Sequence, residues 1–185
     1  MLKSFFALLL FFMAFSPLRG QSGFMHSMGG TYVFAFTDST LIRAFEITYA
    51  PRVQAALGEH ASLSIGVKPA IAPTSWALAL ILKSGVRALE LPLLLQFNSG
   101  LGANKSTGPR RGFYLGGGFG MAYMTRTRDA RVSGGWMYGP AAEAGMHFHF
   151  TGLPLALRLK SMYDIANARS WNVGLGILVT LGMGQ

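Results

Sequence analysis

The sequence predicts an all-β fold, an eight-stranded antiparallel up-and-down β-barrel that crosses a membrane with its strands. Three observations predict it. Long stretches alternate bulky apolar residues with small or polar ones. Of the 185 residues, 51% are hydrophobic and only 12% charged, and a short, strongly apolar leader opens the chain. A domain bathed in water carries about a quarter charged residues, so this composition leaves much of the surface facing something other than water. Beyond the leader no window of about 20 residues is free of charge. With 24 glycines as well, a bundle of membrane helices is excluded.

The leader sets the destination. Lys3 supplies a positive start, Phe5 to Phe15 form an apolar core and "SPLRGQSG" follows, which is the layout of a cleaved signal peptide. The apolar core is too short to span a bilayer. We assign residues 1–20 to the signal peptide, with cleavage between Gly20 and Gln21 and sites a few residues either way left open, and 21–185 to one barrel domain in the outer membrane. Without Lys3 and Arg19 the chain keeps 14 of its 16 basic residues against 7 acidic ones, a net charge of +7. An exported chain of that charge meets anionic lipid or polysaccharide, not nucleic acid. The absence of cysteine rules out a disulfide framework and a lipid-anchor cysteine.

Eight stretches separated by Gly, Asn, Asp, Ser and Pro clusters follow in order: Phe24 to Phe36, Leu41 to Ala55, Ala61 to Ile71, Val86 to Asn98, Gly112 to Arg126, Trp136 to Phe150, Leu153 to Ile165 and Trp171 to Gly184. In the fourth, Leu89, Leu91, Leu93, Leu95 and Phe97 fall on one face and Glu90, Pro92, Leu94, Gln96 and Asn98 on the other. In the fifth, Phe113, Leu115, Phe119, Met121 and Tyr123 alternate with Tyr114, Gly116, Gly118, Gly120 and Ala122. In the seventh, Leu153, Leu155, Leu157 and Leu159 alternate with Pro154, Ala156, Arg158 and Lys160. The eighth sets Trp171, Val173, Leu175, Ile177, Val179, Leu181 and Met183 against Asn172, Gly174, Gly176, Leu178, Thr180, Gly182 and Gly184. Period two over ten or more residues means long strands with unlike faces.

Length separates membrane strands of about 9 to 11 residues from globular ones of 5 or 6. The non-bulky face is rich in Gly and Ala, as a crowded barrel interior requires. Aromatic residues gather at the strand ends, Phe34, Phe36, Tyr123, Trp136, Tyr138, Tyr163 and Trp171 at one and Phe24, Phe97, Phe113, Phe148 and Phe150 at the other, as two girdles would. Backbone groups in lipid must all be paired, so the sheet must close. The connections then alternate between outside (Thr37 to Thr40, Ala72 to Gly85, Thr127 to Gly135, Ala166 to Ser170) and periplasm (Ala56 to His60, Ser99 to Arg111, Thr151 to Gly152). "SWALALIL", Ser75 to Leu82, reads as a continuation of a hairpin above the membrane in preference to a ninth strand, and Pro92 predicts a bulge.

With "LELPLLLQF" followed by "GFYLGGGFGMAYM", the chain resembles the outer-membrane β-barrel domain family that includes the PorT-like proteins, and more loosely the OmpX- and OmpA-like eight-stranded barrels. The matching residues are Leu89 to Asn98 and Gly112 to Tyr123, with the strand count covering the rest. The resemblance implies a barrel inserted by the barrel-assembly machinery, with family roles that range from secretion accessory to adhesion. The chain departs from the pattern at its end, where Met183, Gly184 and Gln185 stand in place of the aromatic residue that the machinery reads.

Eight strands enclose a space that side chains fill, which excludes a wide pore. Inward positions carry Glu46, Arg52, Lys68, Glu90, Glu143, Arg158, Lys160 and Asp164, a lumenal polar network, together with His147 and His149. A two-residue turn at Thr151 and Gly152 places Glu143 opposite Lys160 with Arg158 on the diagonal. A metal site at His147, His149 and Glu143 lacks a further ligand from a neighbouring strand, and nothing orients a nucleophile, so no metal, cofactor or catalytic residue is assigned and the chain reads as non-enzymatic. Arg43, Lys83, Arg87, Arg126, Arg128, Arg131 and Arg169 fall at the outer rim, where guanidinium forks match the phosphates of lipopolysaccharide. The expected role is structural, surface-binding or secretion-accessory, with outer-membrane lipid as the partner and any secretion-system partner unidentified. The alternative is a secreted lipocalin-like barrel with its bulky face inward around an apolar ligand.

Overall fold

The computed structural model of the chain describes residues 23–37, 40–72, 85–103, 111–128, 131–165 and 170–181. The leader, Ser75 to Leu82, Lys83, Arg169 and Met183 to Gln185 lie outside them. The chain forms β1 (Gly23–Thr37), β2 (Thr40–Ala56), β3 (Ala61–Val67), β4 (Ala70–Ala72), β5 (Gly85–Gly100), β6 (Arg111–Arg128), β7 (Arg131–Phe150), β8 (Leu153–Asp164) and β9 (Ser170–Leu181). Each segment pairs antiparallel with its neighbours, and β1 pairs with β9, so the sheet closes on itself and leaves no edge.

The nine segments occupy eight positions around the ring, because β3 and β4 are two pieces of one strand between β2 and β5. Prolines explain the break. Lys68 donates its backbone N–H to the Pro92 carbonyl at 3.0 Å and Tyr49 donates to the Pro69 carbonyl at 2.9 Å, but neither proline has an N–H to return. The ladder is cut there without a shift of register: Val67 faces Leu93, and three residues further Ala70 faces Glu90. The bulge predicted at Pro92 is therefore absent. Its cost is a missing bond at Lys68, where the neighbouring strand is interrupted.

The faces follow the period-two pattern. Along β5, Leu89, Leu91, Leu93, Leu95 and Phe97 point outward and stay exposed, while Glu90, Leu94, Gln96 and Asn98 are buried inside. Along β9, Trp171, Leu175, Ile177 and Leu181 point out and Asn172, Leu178 and Thr180 point in. The small inward residues are dictated by crowding: a Cβ on Gly174 would sit 2.9 Å from both Lys160 Cε and Thr31 Cγ2, and one on Gly120 would sit 2.9 Å from Met162 Sδ. The lipocalin-like alternative needed an apolar interior, and the bulky face is instead on the outside.

Aromatic girdles form at both ends of the outward belt. Tyr123 and Trp136 face each other with ring centroids 5.1 Å apart, and register sets Trp171 between Phe36 and Tyr163. The Trp171 indole N–H donates to Ser161 Oγ at 2.6 Å, so its polar edge is satisfied within an apolar belt. At the other end Phe97 and Phe113 lie 6.4 Å apart.

The hairpins fix the register. Thr151 and Gly152 both have positive φ, 50° and 85°, the backbone of a two-residue type I′ turn, and Glu143 does face Lys160 as that turn predicts. The outer connection predicted from Thr127 to Gly135 is shorter than expected. β6 runs to Arg128 and β7 starts at Arg131, so most of it is ladder, with Arg128 opposite Arg131. At the end of the barrel that carries the Thr151–Gly152 turn, Leu101–Ala103 folds back on the barrel mouth, with Leu101 N–H donating to the Arg111 carbonyl at 3.0 Å and Gln54 Nε2 donating to the Ala103 carbonyl.

Candidate functional site

The site is the sealed, charged lumen. Glu46 and Arg52 on β2, Lys68 between β3 and β4, Glu90 on β5, Glu143 on β7 and Arg158, Lys160 and Asp164 on β8 are all buried, and all are residues the sequence placed inward. They converge because every second side chain of each strand is forced into a space too narrow for water-filled clearance.

Two clusters result. In the first, Glu143 is the hub: Lys68 Nζ donates to Oε1 at 2.6 Å, Arg158 Nη2 lies 2.9 Å from Oε2, and Arg158 Nε donates to the same oxygen at 3.0 Å. Arg158 Nη1 also donates to Thr48 Oγ1 at 3.0 Å, and Gln96 Nε2 to Glu143 Oε1 at 3.4 Å. In the second, the Lys160 ammonium is held by Glu46 and Glu90, and Asn172 Nδ2 donates to Glu90 Oε2 at 3.4 Å. Charges removed from water persist only when paired and hydrogen-bonded, and these are both. The diagonal partner foreseen for Glu143 is thus its ligand, while the residue directly opposite it turns to the other cluster.

Asp164 is buried at the end of β8 away from the Thr151–Gly152 turn, where its Oδ1 accepts the Tyr138 backbone N–H at 3.3 Å. Arg52 stands apart. Its Nη2 reaches Met25 Sδ at 3.9 Å, and its Nε has no partner among the described residues. His147 is buried with both ring nitrogens unpartnered and its ring 5.0 Å from that of Tyr114, whereas His149 is exposed near the turn to β8, so the two histidines do not converge. Among the described residues no three His, Asp or Glu side chains gather as metal ligands.

Sequence reasoning missed the hydrogen-bonding shell. Thr31, Thr48, Gln96, Asn98 and Asn172 support the ion pairs or bridge strands, as when Asn98 Nδ2 donates to Ser64 Oγ at 3.0 Å between β5 and β3. Their signal was available, since each stands on the inward face of an alternating strand. The Leu101–Ala103 closure had no such signal.

The outer rim is set by register. Arg87 faces Thr125, Arg126 faces Val86 and Ser133, and Arg128 faces Arg131, which gathers four arginine positions at one end of the barrel, on β5, β6 and β7. Arg43 is exposed on the outer part of β2.

In fold the chain is similar to Ail, the attachment invasion locus protein of Yersinia pestis, with a TM-score of 0.55 at 10% identity over 88% of this chain and 100% of that one. It is equally similar to Neisserial surface protein A, at 0.55 and 12% identity over 87% of this chain and 99% of that one. Ail in complex with the heparin analogue sucrose octasulfate matches with a TM-score of 0.52 at 9% identity, over 88% of this chain and 100% of that one. No protein-family model matches the chain, and no curated protein sequence matches it. These are small outer-membrane barrels, and the fold of this chain is theirs: an all-β, antiparallel up-and-down barrel of eight strand positions.

Proposed function

We propose that the protein is a small barrel of the outer membrane, delivered by a cleaved leader, that acts as a structural or surface-binding protein and neither conducts solutes nor catalyses a reaction. The observation that carries this reading is the inversion of polarity: a continuous apolar belt with aromatic girdles faces outward, and the interior is plugged by interlocked ion pairs. Expression with the leader, fractionation of membranes and a detergent gel with and without boiling test it. Recovery in the outer membrane with a mobility shift on boiling supports the reading; a soluble, unshifted protein overturns it.

The finer reading concerns the rim. Arginine clustered at the outer ends of β5, β6 and β7 suits phosphate groups of lipopolysaccharide in the outer leaflet. A heparin analogue bound to a barrel of the same fold supports polyanion recognition as something this architecture accommodates. Replacement of Arg126, Arg128 and Arg131 by Ser should lower the lipopolysaccharide that co-purifies with the folded barrel; unchanged co-purification overturns the rim reading alone.

A further inference from the structure

The two lumenal clusters differ in net charge. Around Lys160 one cation meets two carboxylates, Glu46 and Glu90. In the periplasmic half, Lys68 and Arg158 share the single carboxylate of Glu143, and Arg52 adds a third cation. Arg52 is only 5% exposed, and among the described residues its Nε meets no acceptor while its Nη2 reaches a thioether sulfur, a weak acceptor. A guanidinium removed from water without an anion costs far more than a neutral donor left in the same place.

Beside it lies a cavity of ≈ 10 Å³, room for one water-sized particle, lined among others by Arg52, Lys68, Tyr114, Glu143 and His147. The Tyr114 hydroxyl and both His147 ring nitrogens are also buried without a well-formed hydrogen bond among the described residues. Among the described residues, three side chains with buried polar atoms that lack a well-formed hydrogen bond, Arg52, Tyr114 and His147, therefore border one small space in a region of excess positive charge. Glu143 borders the same space and offsets part of this charge, but its oxygens are already held by Lys68, Arg158 and Gln96. The Leu101–Ala103 turn packs against His147: Gly102 has φ +88°, and a Cβ there would sit 2.8 Å from the His147 ring.

We propose that the periplasmic half of the lumen is a binding site for one small monovalent anion of the chloride class, held by Arg52 with the Tyr114 hydroxyl and His147. Donors converge on it from β2, β6 and β7, so the anion ties three strands together across the interior. A water molecule would satisfy one or two of the same donors but would add no negative charge beside Arg52.

The test uses the mature barrel in detergent at constant ionic strength, with sodium gluconate exchanged stepwise for sodium chloride or bromide. The thermal midpoint should rise saturably with either halide, by roughly 3–8 °C at saturation. Crystals grown in sodium bromide should show an anomalous peak at hydrogen-bonding distance from the Arg52 guanidinium. Arg52→Gln should abolish both effects. Tyr114→Phe, which keeps the ring, should move half-saturation to several-fold higher bromide, so the idea stays testable even if Arg52→Gln does not fold. Equal midpoints in gluconate and chloride with no bromide peak would mean a water site only and would overturn the proposal, as would a halide effect that survives both substitutions.

Discussion

Glu143 and Lys160 face each other across the β7–β8 hairpin, yet they belong to different charge clusters: the carboxylate is held by Lys68 and Arg158, and the ammonium by Glu46 and Glu90. These two lateral neighbours on the wall are therefore not each other's ionic partners. The partners come from the diagonal and from across the lumen.

Glu143→Gln leaves Lys68 and Arg158 buried without their carboxylate and should destabilise the barrel by about 3–5 kcal/mol. The urea midpoint of unfolding in lipid vesicles checks it. In double-mutant cycles Glu143 should couple more strongly to Arg158 than to Lys160, and the reverse order would contradict the cluster assignment.

The turn at Thr151 offers a gain. A β-branched residue at positive φ is strained, and Asn tolerates that backbone, so Thr151→Asn should stabilise the barrel by about 1 kcal/mol while Gly152→Val costs at least as much. Equal midpoints for the three proteins would show that this turn does not limit stability.

Two adjacent glycines on β6 should behave oppositely. A Cβ on Gly118 collides with the Leu93 carbonyl, whereas one on Gly117 meets nothing closer than the Ala141 carbonyl at 3.8 Å. Gly118→Ala should cost about 1–3 kcal/mol and Gly117→Ala should be neutral or raise stability by about 0.5 kcal/mol. Heat-modifiability on gels ranks the pair directly.

Leu93 reports on the solvent outside the wall. It points outward in the middle of β5, and Leu93→Arg should cost about 2–4 kcal/mol if lipid surrounds it. A change under about 0.5 kcal/mol, the usual range of a water-facing surface substitution, would argue against a membrane there.

Much of this was legible in the chain because a strand has only two faces. The alternation in Leu89 to Phe97 fixed which residues line the lumen, and the two-residue spacing at Thr151 and Gly152 fixed one register completely. What meets across the lumen was not legible. Lys68 reaches Glu143 from the other side of the ring, and which strand positions lie level there depends on the stagger of the closed sheet, a global quantity that no local period encodes. Pro92 misled for a related reason. A missing N–H signals a lost bond, but the loss was absorbed by a gap in the neighbouring strand at Lys68 and Pro69 instead of by an extra residue. The rim arginines were placed by topology alone, and the ladder of β6 and β7 carries three of them, at Arg126, Arg128 and Arg131, further along the strands than the expected loop would have.

The pairing of β1 with β9 joins the two ends of the described chain, His26 with Leu181 and Phe36 with Trp171, and Ser27 donates to Thr180 across that line. Such a contact is the last that a chain emerging from its N-terminus can make, and its loop-closure entropy is among the largest available. Before it forms, both terminal strands are open templates for pairing with other chains. Lys160 and its two carboxylates also remain wet and gain little from one another. The dry interior and the lateral seal therefore arrive together, which makes folding an event of the whole ring: a chain stopped short of Trp171 should hold no partial barrel, only an aggregation-prone ribbon.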